Sequence, residues 1–284
     1  MVDRPCIIIS RHLGCDRRPA SLEDELADLL YSAGWHITLI PHLYHLPHGS
    51  ELWARITALP EPLVLASWLH PRPSTCLLYE YAGREPALAI DLSACSDAGE
   101  ACASITDVCM GSDEGRISTL EAEVNDRWYP VIDRSLCTGC RHCLQFCLFG
   151  VYEIDAEGGV TAARPDNCKP GCPACSRVCP QGAIIFPLCD DPAIAGAPGT
   201  IMKPDAAARR AYYVRTGQTC PVCGRKAEPG EHADAPAAGS TCDECGSPTE
   251  VAREIAEPSP VHREIDELID ALDGLADARG GEQR

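Results

Sequence analysis

Eight of the chain's nineteen cysteines fall in two runs that repeat one spacing, and that repetition limits what the chain can fold around. The first run is Cys137, Cys140, Cys143 and Cys147; the second is Cys168, Cys172, Cys175 and Cys179, trailed by Pro180. In the first, a CxxCxxCxxxC pattern, three thiolates two residues apart reach three corners of one [4Fe–4S] cube from a tight loop. The fourth is displaced and better placed for a different cube. Small Gly139 lets the backbone pass close to such a cluster.

Cysteine richness alone would also fit a disulfide scaffold, but metal-ligand spacing in CxxC-type clusters points to thiolates kept reduced. A chain of 284 residues is long enough for two or three domains, so something large precedes the runs. No apolar run approaches the ~18 residues of a membrane span, and the short stretch Cys6 to Ile9 is too brief for a secretory signal. The reading is a cytoplasmic protein without membrane insertion. A formal charge of −18 argues against nucleic acid, which rewards clustered Lys and Arg.

From about 129 to 187 the sequence resembles the bacterial-type two-cluster ferredoxins, with all eight cysteines and the trailing Cys-Pro in order. The resemblance implies a pseudo-twofold α+β fold, two [4Fe–4S] clusters and crossed ligation. Cys137, Cys140, Cys143 and Cys179 would hold one cluster, and Cys168, Cys172, Cys175 and Cys147 the other. It also implies electron transport, with redox proteins as donor and acceptor. Two departures stand out: three residues, Lys169-Pro170-Gly171, separate Cys168 from Cys172, and Leu148 stands where proline is usual. Between the runs, Gly150 to Ile154 and Val160 to Ala163 flank Asp-Ala-Glu-Gly-Gly, a hairpin pattern.

Downstream, Cys220-Pro-Val-Cys223-Gly and Cys242-Asp-Glu-Cys245-Gly form two knuckles with the spacing of a four-cysteine zinc ribbon. Four thiolates close a tetrahedron, so the zinc would be structural, and it would supply most of the folding energy of so short and polar a segment. The knuckles also resemble rubredoxin, where iron replaces zinc, but no aromatic residue lies between Gly224 and Thr241. After Pro258 a last helix carries Ile265, Leu268, Ile269, Leu272 and Leu275 on one face.

The N-terminal part alternates strand and helix patterns. Strands are expected at Cys6 to Ser10, Trp35 to Ile40 and Leu63 to Trp68, with further strands at Cys76 to Tyr81 and Ala87 to Leu92. One helix would start at a capping box, Ser21 with Asp24, and stop at Gly34; another would run from Glu51 to Leu59, capped by Ser50. The fold class is thus α/β: an open α/β domain with an acidic connecting region (1–126), a dicluster ferredoxin domain (127–190), a linker (191–204), a zinc ribbon (205–250) and a C-terminal helix (251–284). The connecting region holds Cys95, Cys102 and Cys109 at seven-residue intervals, read as small hydrophobes because Gly99 and polar neighbours weaken a helix there.

Ligands of open α/β sheets gather beyond the carboxyl ends of the strands, here Arg11, His12, Cys15, His42, His70 and Arg72. No GxGxxG follows the first strand, so dinucleotide binding of the Rossmann kind is unsupported. His42, His45 and His48 invite a metal reading, but Pro41 and Pro47 break any helix that would align them. The chain therefore reads as a ferredoxin-type carrier or the electron-input subunit of a larger redox complex. In the alternative it is an oxidoreductase whose α/β domain reduces a small anionic substrate with electrons from the clusters.

Overall fold

A computed structural model describes residues 6–14, 17–106, 114–204, 210, 211, 213–215, 217, 219, 220, 223–226 and 242. The chain divides into two compact units, 1–204 and 205–284. In the first, β1 (Cys6–Ser10), β2 (His36–Ile40), β3 (Leu63–Ser67), β4 (Leu88–Asp91) and β5 (Arg116–Thr119) form one parallel sheet in the order β4-β3-β1-β2-β5. Residues alternate across a strand, so Ile7 and Ile9 face one core layer while Cys6 and Ile8 face the other. Helices α1 (Arg17–Ser32) and α4 (Ala98–Thr106) cover the first face; α2 (Glu51–Thr57) and α3 (Pro71–Ala82) cover the second. Burial on both faces explains why β1 and β3 are unbroken apolar runs.

Several expectations are corrected. Helix α1 begins four residues before Ser21, whose hydroxyl donates to the Arg18 carbonyl at 3.1 Å and so caps nothing. By contrast, Ser50 accepts the Leu52 N–H at 3.2 Å, capping α2 as its sequence predicts. Cys76 to Tyr81 is helix, not strand: Pro71 opens α3, Gly83 closes it in a left-handed conformation, and Pro73, Ser74, Leu77, Leu78 and Ala82 are buried at helical spacing. The acidic connection folds in part, as α4 and β5. Cys95 and Cys102 join the core beside Ala98, Ala101 and Ile105, while Cys109 lies outside the described residues. So does the expected C-terminal helix.

Residues 127–204 add β6 (Val131–Ile132), antiparallel to β9 (Ile184–Ile185), and the hairpin β7 (Glu153–Ile154) with β8 (Val160–Thr161). Two one-turn helices, α5 (His142–Phe146) and α6 (Ala174–Val178), occupy matching positions in the two runs. Within the expected linker, α7 (Pro192–Ala195) buries Ile194, and the Phe186 N–H donates to the Ile194 carbonyl at 2.9 Å.

A seam of polar contacts ties this segment to the sheet. Tyr44 stacks on Tyr129 with ring centroids 4.3 Å apart, and its hydroxyl both donates to the Tyr129 carbonyl and accepts the Tyr129 N–H, each at 2.6 Å. Arg134 grips Glu80 through two bonds of 2.8 and 3.0 Å. Arg72, in the first turn of α3, donates to Asp133 at 2.7 Å and to the Gly182 carbonyl at 2.7 Å. Among the described residues no helix is long and apolar enough to cross a membrane.

Replacing Tyr44 with Phe keeps the stack but strips a carbonyl and an N–H of their buried partner. Urea unfolding at constant metal content should register a loss of about 1–3 kcal/mol.

Candidate metal centres

The backbone of each run is bent to aim sulfur inward. Gly139 and Arg141 both take left-handed conformations (φ 67° and 64°), unusual for an arginine, and together curl the chain before α5 presents Cys143. In the second run the extra residue is absorbed by a turn, in which Cys172 N–H bonds the Lys169 carbonyl at 3.1 Å and Gly171 takes φ 73°. Helix α6 then presents Cys175, and the Ala183 N–H donates to Cys179 Sγ at 3.3 Å. All eight residues are free thiols.

The thiols fall into two neighbourhoods. Burial pushes Cys140 up, followed by the charges of Cys179 and Cys137. Cys143 is driven well above the ordinary thiol range by burial, then by Cys179, Cys140 and Cys175. On the other side burial raises Cys168 to about 12, with Cys172 and Cys147 adding to it. Cys175 also rises to about 12, first through burial, although the Tyr152 hydroxyl opposes the shift; Cys168, Cys147 and Cys172 add to it. Cys179, the last thiol of the second run, thus acts on Cys140 and Cys143, and Cys147, the last of the first run, acts on Cys168 and Cys175. Four thiolates gathered in a buried site repel one another, and cationic iron relieves that repulsion, so the donor set fits an iron–sulfur cluster. The eight thiols are spread wider than the ligands of one ion, for among the described residues only Cys220, Cys223 and Cys242 bring three donors within 4.8 Å of one another.

Three side chains around these thiols left no local signal in the sequence. Tyr152 is buried and donates its hydroxyl to Cys175 Sγ at 3.0 Å. Trp128 stacks on Phe186 and donates its indole N–H to the Cys172 carbonyl at 3.2 Å. Asp133 anchors the turn leading to Cys137: burial pushes its carboxyl up, but Ser135 and Arg72 outweigh burial and hold it below the usual carboxylate range. The contacts Tyr152–Cys175, Trp128–Cys172 and Arg72–Asp133 each join residues at least 23 apart in sequence.

In the second compact unit Cys220 and Cys242 Sγ lie 3.9 Å apart, with Cys223 close by; Cys245 lies outside the described residues. Gly224, at φ 70°, returns its N–H to the Cys220 carbonyl at 2.8 Å, and Thr219 bridges Lys226, which makes the first knuckle a tight hairpin. An aromatic ring does pack on this site, but it is Tyr213, upstream of the knuckle.

At the carboxyl edge of the sheet, where the strand order reverses between β1 and β3, buried Glu23 accepts the His12 N–H at 2.6 Å and the Trp68 indole N–H at 2.7 Å. His70 Nδ1 bonds Asp91 Oδ2 at 2.8 Å. Arg72 is turned away from that crevice by its bonds to Asp133 and Gly182, and Arg11 lies 3.5 Å from Asp24; Cys15 lies outside the described residues. His42, His45 and His48 do not converge on a common point for an ion. Instead His45 Nδ1 accepts the Arg127 N–H at 3.0 Å, and His48 Nε2 lies 2.6 Å from the Tyr81 hydroxyl.

No family model matches the chain, and no solved structure matches it. An uncharacterized ferredoxin of Methanocaldococcus jannaschii is 48% identical over 62 residues, 21% of this chain and 41% of its own length. Hydrogenase-2 operon protein HybA of Escherichia coli O157:H7 is 36% identical over 64 residues, 19% of this chain and 20% of its own. Ferredoxin-3 of Nostoc sp. is 33% identical over 67 residues, 18% of this chain and 68% of its own. The chain therefore spans less than half the length of the first two, and the matched stretches are about as long as the segment holding the two runs.

The buried histidines generate a pH dependence. Burial, then the nearby His45 and His12, lowers His42 from 6.5 to about 3, and burial followed by Arg127 lowers His48 from 6.5 to about 4. The unfolded chain accepts protons below pH 6.5 that the folded one refuses, so this contribution is complete above 6.5 and is lost as pH falls toward 4 and then 3. Urea midpoints measured from pH 7 to 5 should drop, and His42→Asn should make that drop shallower at equal metal content.

Proposed function

The chain belongs to the ferredoxins through the segment it shares with Ferredoxin-3, and on that premise we propose that it is an iron–sulfur electron-transfer protein with two [4Fe–4S] clusters. Cys137, Cys140, Cys143 and Cys179 would hold one cluster, and Cys147, Cys168, Cys172 and Cys175 the other. The observation that carries this reading is the mutual influence of free thiols across the two runs, Cys179 acting on Cys140 and Cys143 and Cys147 acting on Cys168 and Cys175. When bound, each cluster would supply a one-electron couple. The protein's part is to bury the sulfurs, supply donors to them through Ala183 N–H and Tyr152, and hold the two sites adjacent.

Redox proteins are the partners this reading needs. Phe146, Leu148 and Phe149 are exposed around Cys147, Leu148 at 92%, and they offer apolar surface for a transient contact beside the second site. Likeness to HybA supports a place as electron-input subunit of a larger redox complex. In the second unit, the 3.9 Å between Cys220 and Cys242 fits the ~3.8 Å edge of a tetrahedron with metal–sulfur bonds of ~2.3 Å. A structural zinc held by Cys220, Cys223, Cys242 and Cys245 is the reading adopted; iron would fit the same edge.

A second reading, reduction of a small anionic substrate in the α/β part, draws on the His70–Asp91 pair, in which a buried carboxylate fixes the imidazole's orientation. The cation it was expected to use, Arg72, is committed to Asp133 and Gly182. The carrier reading is therefore preferred.

Anaerobic metal and sulfide analysis should find about eight iron, matching inorganic sulfide and one zinc per chain. Absence of inorganic sulfide would sink the assignment. Crossed ligation is checked with serine variants: the reduced paramagnetic resonance spectrum of Cys147→Ser should match that of Cys168→Ser, and should differ from that of Cys140→Ser although Cys147 and Cys140 share a run.

A further inference from the structure

Tyr152 follows the turn at Gly150, which takes φ 67°, and its side chain points inward beside Val151, leaving the ring only 3% exposed. A buried phenol needs a partner for its hydroxyl, and here the partner is a sulfur, Cys175 Sγ at 3.0 Å. Its charged neighbours are Cys175, Cys143 and Cys147, so the hydroxyl stands where the two thiol groups approach each other. In the first group the side-chain donor is an aliphatic hydroxyl, that of Thr138 beside Cys140, and Cys179 receives the Ala183 backbone N–H at 3.3 Å; among the described residues the phenol is found only at Cys175.

We infer that Tyr152 is a potential-setting residue for one cluster only: its hydrogen bond to Cys175 makes the site of Cys147, Cys168, Cys172 and Cys175 easier to reduce than it would be without the hydroxyl. The inference rests on the reading of Cys175 as a cluster ligand. The reason is electrostatic. Reduction adds negative charge that spreads onto the ligand sulfurs, and a donor aimed at one of them stabilises the reduced form more than the oxidised form. In a site shielded from water that preference is larger than it would be at the surface. Because only one site has the phenol, the two clusters need not share a potential, and the electron has a preferred resting place.

The experiment is an anaerobic redox titration of the full chain, followed by electron paramagnetic resonance, on the wild type and Tyr152→Phe. Iron and sulfide content should be unchanged, and one midpoint should move to more negative potential while the other stays. The moving signal should be the one missing from Cys168→Ser. No shift in either midpoint, or an equal shift in both, overturns the inference. Should Tyr152→Phe lose a cluster, 3-fluorotyrosine placed at position 152 decides the matter: this more acidic donor should move the same midpoint upward, and an unmoved midpoint overturns the inference. A wild-type protein lacking two reducible clusters would instead refute the electron-transfer reading beneath it.

Discussion

Gathering thiols inside a small core is unfavourable for each of them, and residues 127–204 are organised around that difficulty. Each thiol has to leave water, and each raises its neighbours' resistance to ionisation, as the upward displacement of Cys143, Cys168 and Cys175 records. The strands here are only two residues long, so β6, β7, β8 and β9 cannot hold the thiols in place by backbone pairing alone. Bound metal would turn the repulsion into attraction, with four sulfurs bridged through one centre. On this view the left-handed conformation of Arg141 is strain accepted for the sake of sulfur direction, while Gly139 and Gly171 make their turns without it.

The sheet contributes what the short strands lack. Tyr44, Glu80 and Arg72 come from elements of the parallel sheet's helical layer and loops, and they hold the backbone at Tyr129 and Gly182 and the side chains of Arg134 and Asp133. Gly182 lies three residues beyond Cys179, so the guanidinium of Arg72 steadies the loop in which Ala183 meets that sulfur. An arginine that sequence position assigns to a ligand crevice thus serves the metal segment instead.

What was readable from sequence follows the range of the forces involved. The hairpin between the runs and the cap at Ser50 are set by neighbours a few residues away, and they are legible. Cys76 to Tyr81 reads as a strand because five apolar and aromatic residues interrupted only by Glu80 look alike in a buried strand and a buried helix; the deciding signals are Pro71 before them and Gly83 after. Strand β5 was hidden in an acidic stretch because it lies at the sheet's edge, where its burial pattern is mostly exposed and its parallel pairing with β2 supplies the order. Tyr152 and Trp128 could not be picked out, nor could the role of Arg72, since their partners are 23, 44, 61 and 110 residues away.

The position of the sheet in the chain has a consequence for biosynthesis. All five of its strands lie between Cys6 and Thr119, so they leave the ribosome before Cys137 does. Tyr44, Glu80 and Arg72 are thus synthesised ahead of the cysteine runs, whereas Ile185, which closes the same core layer, is made after them.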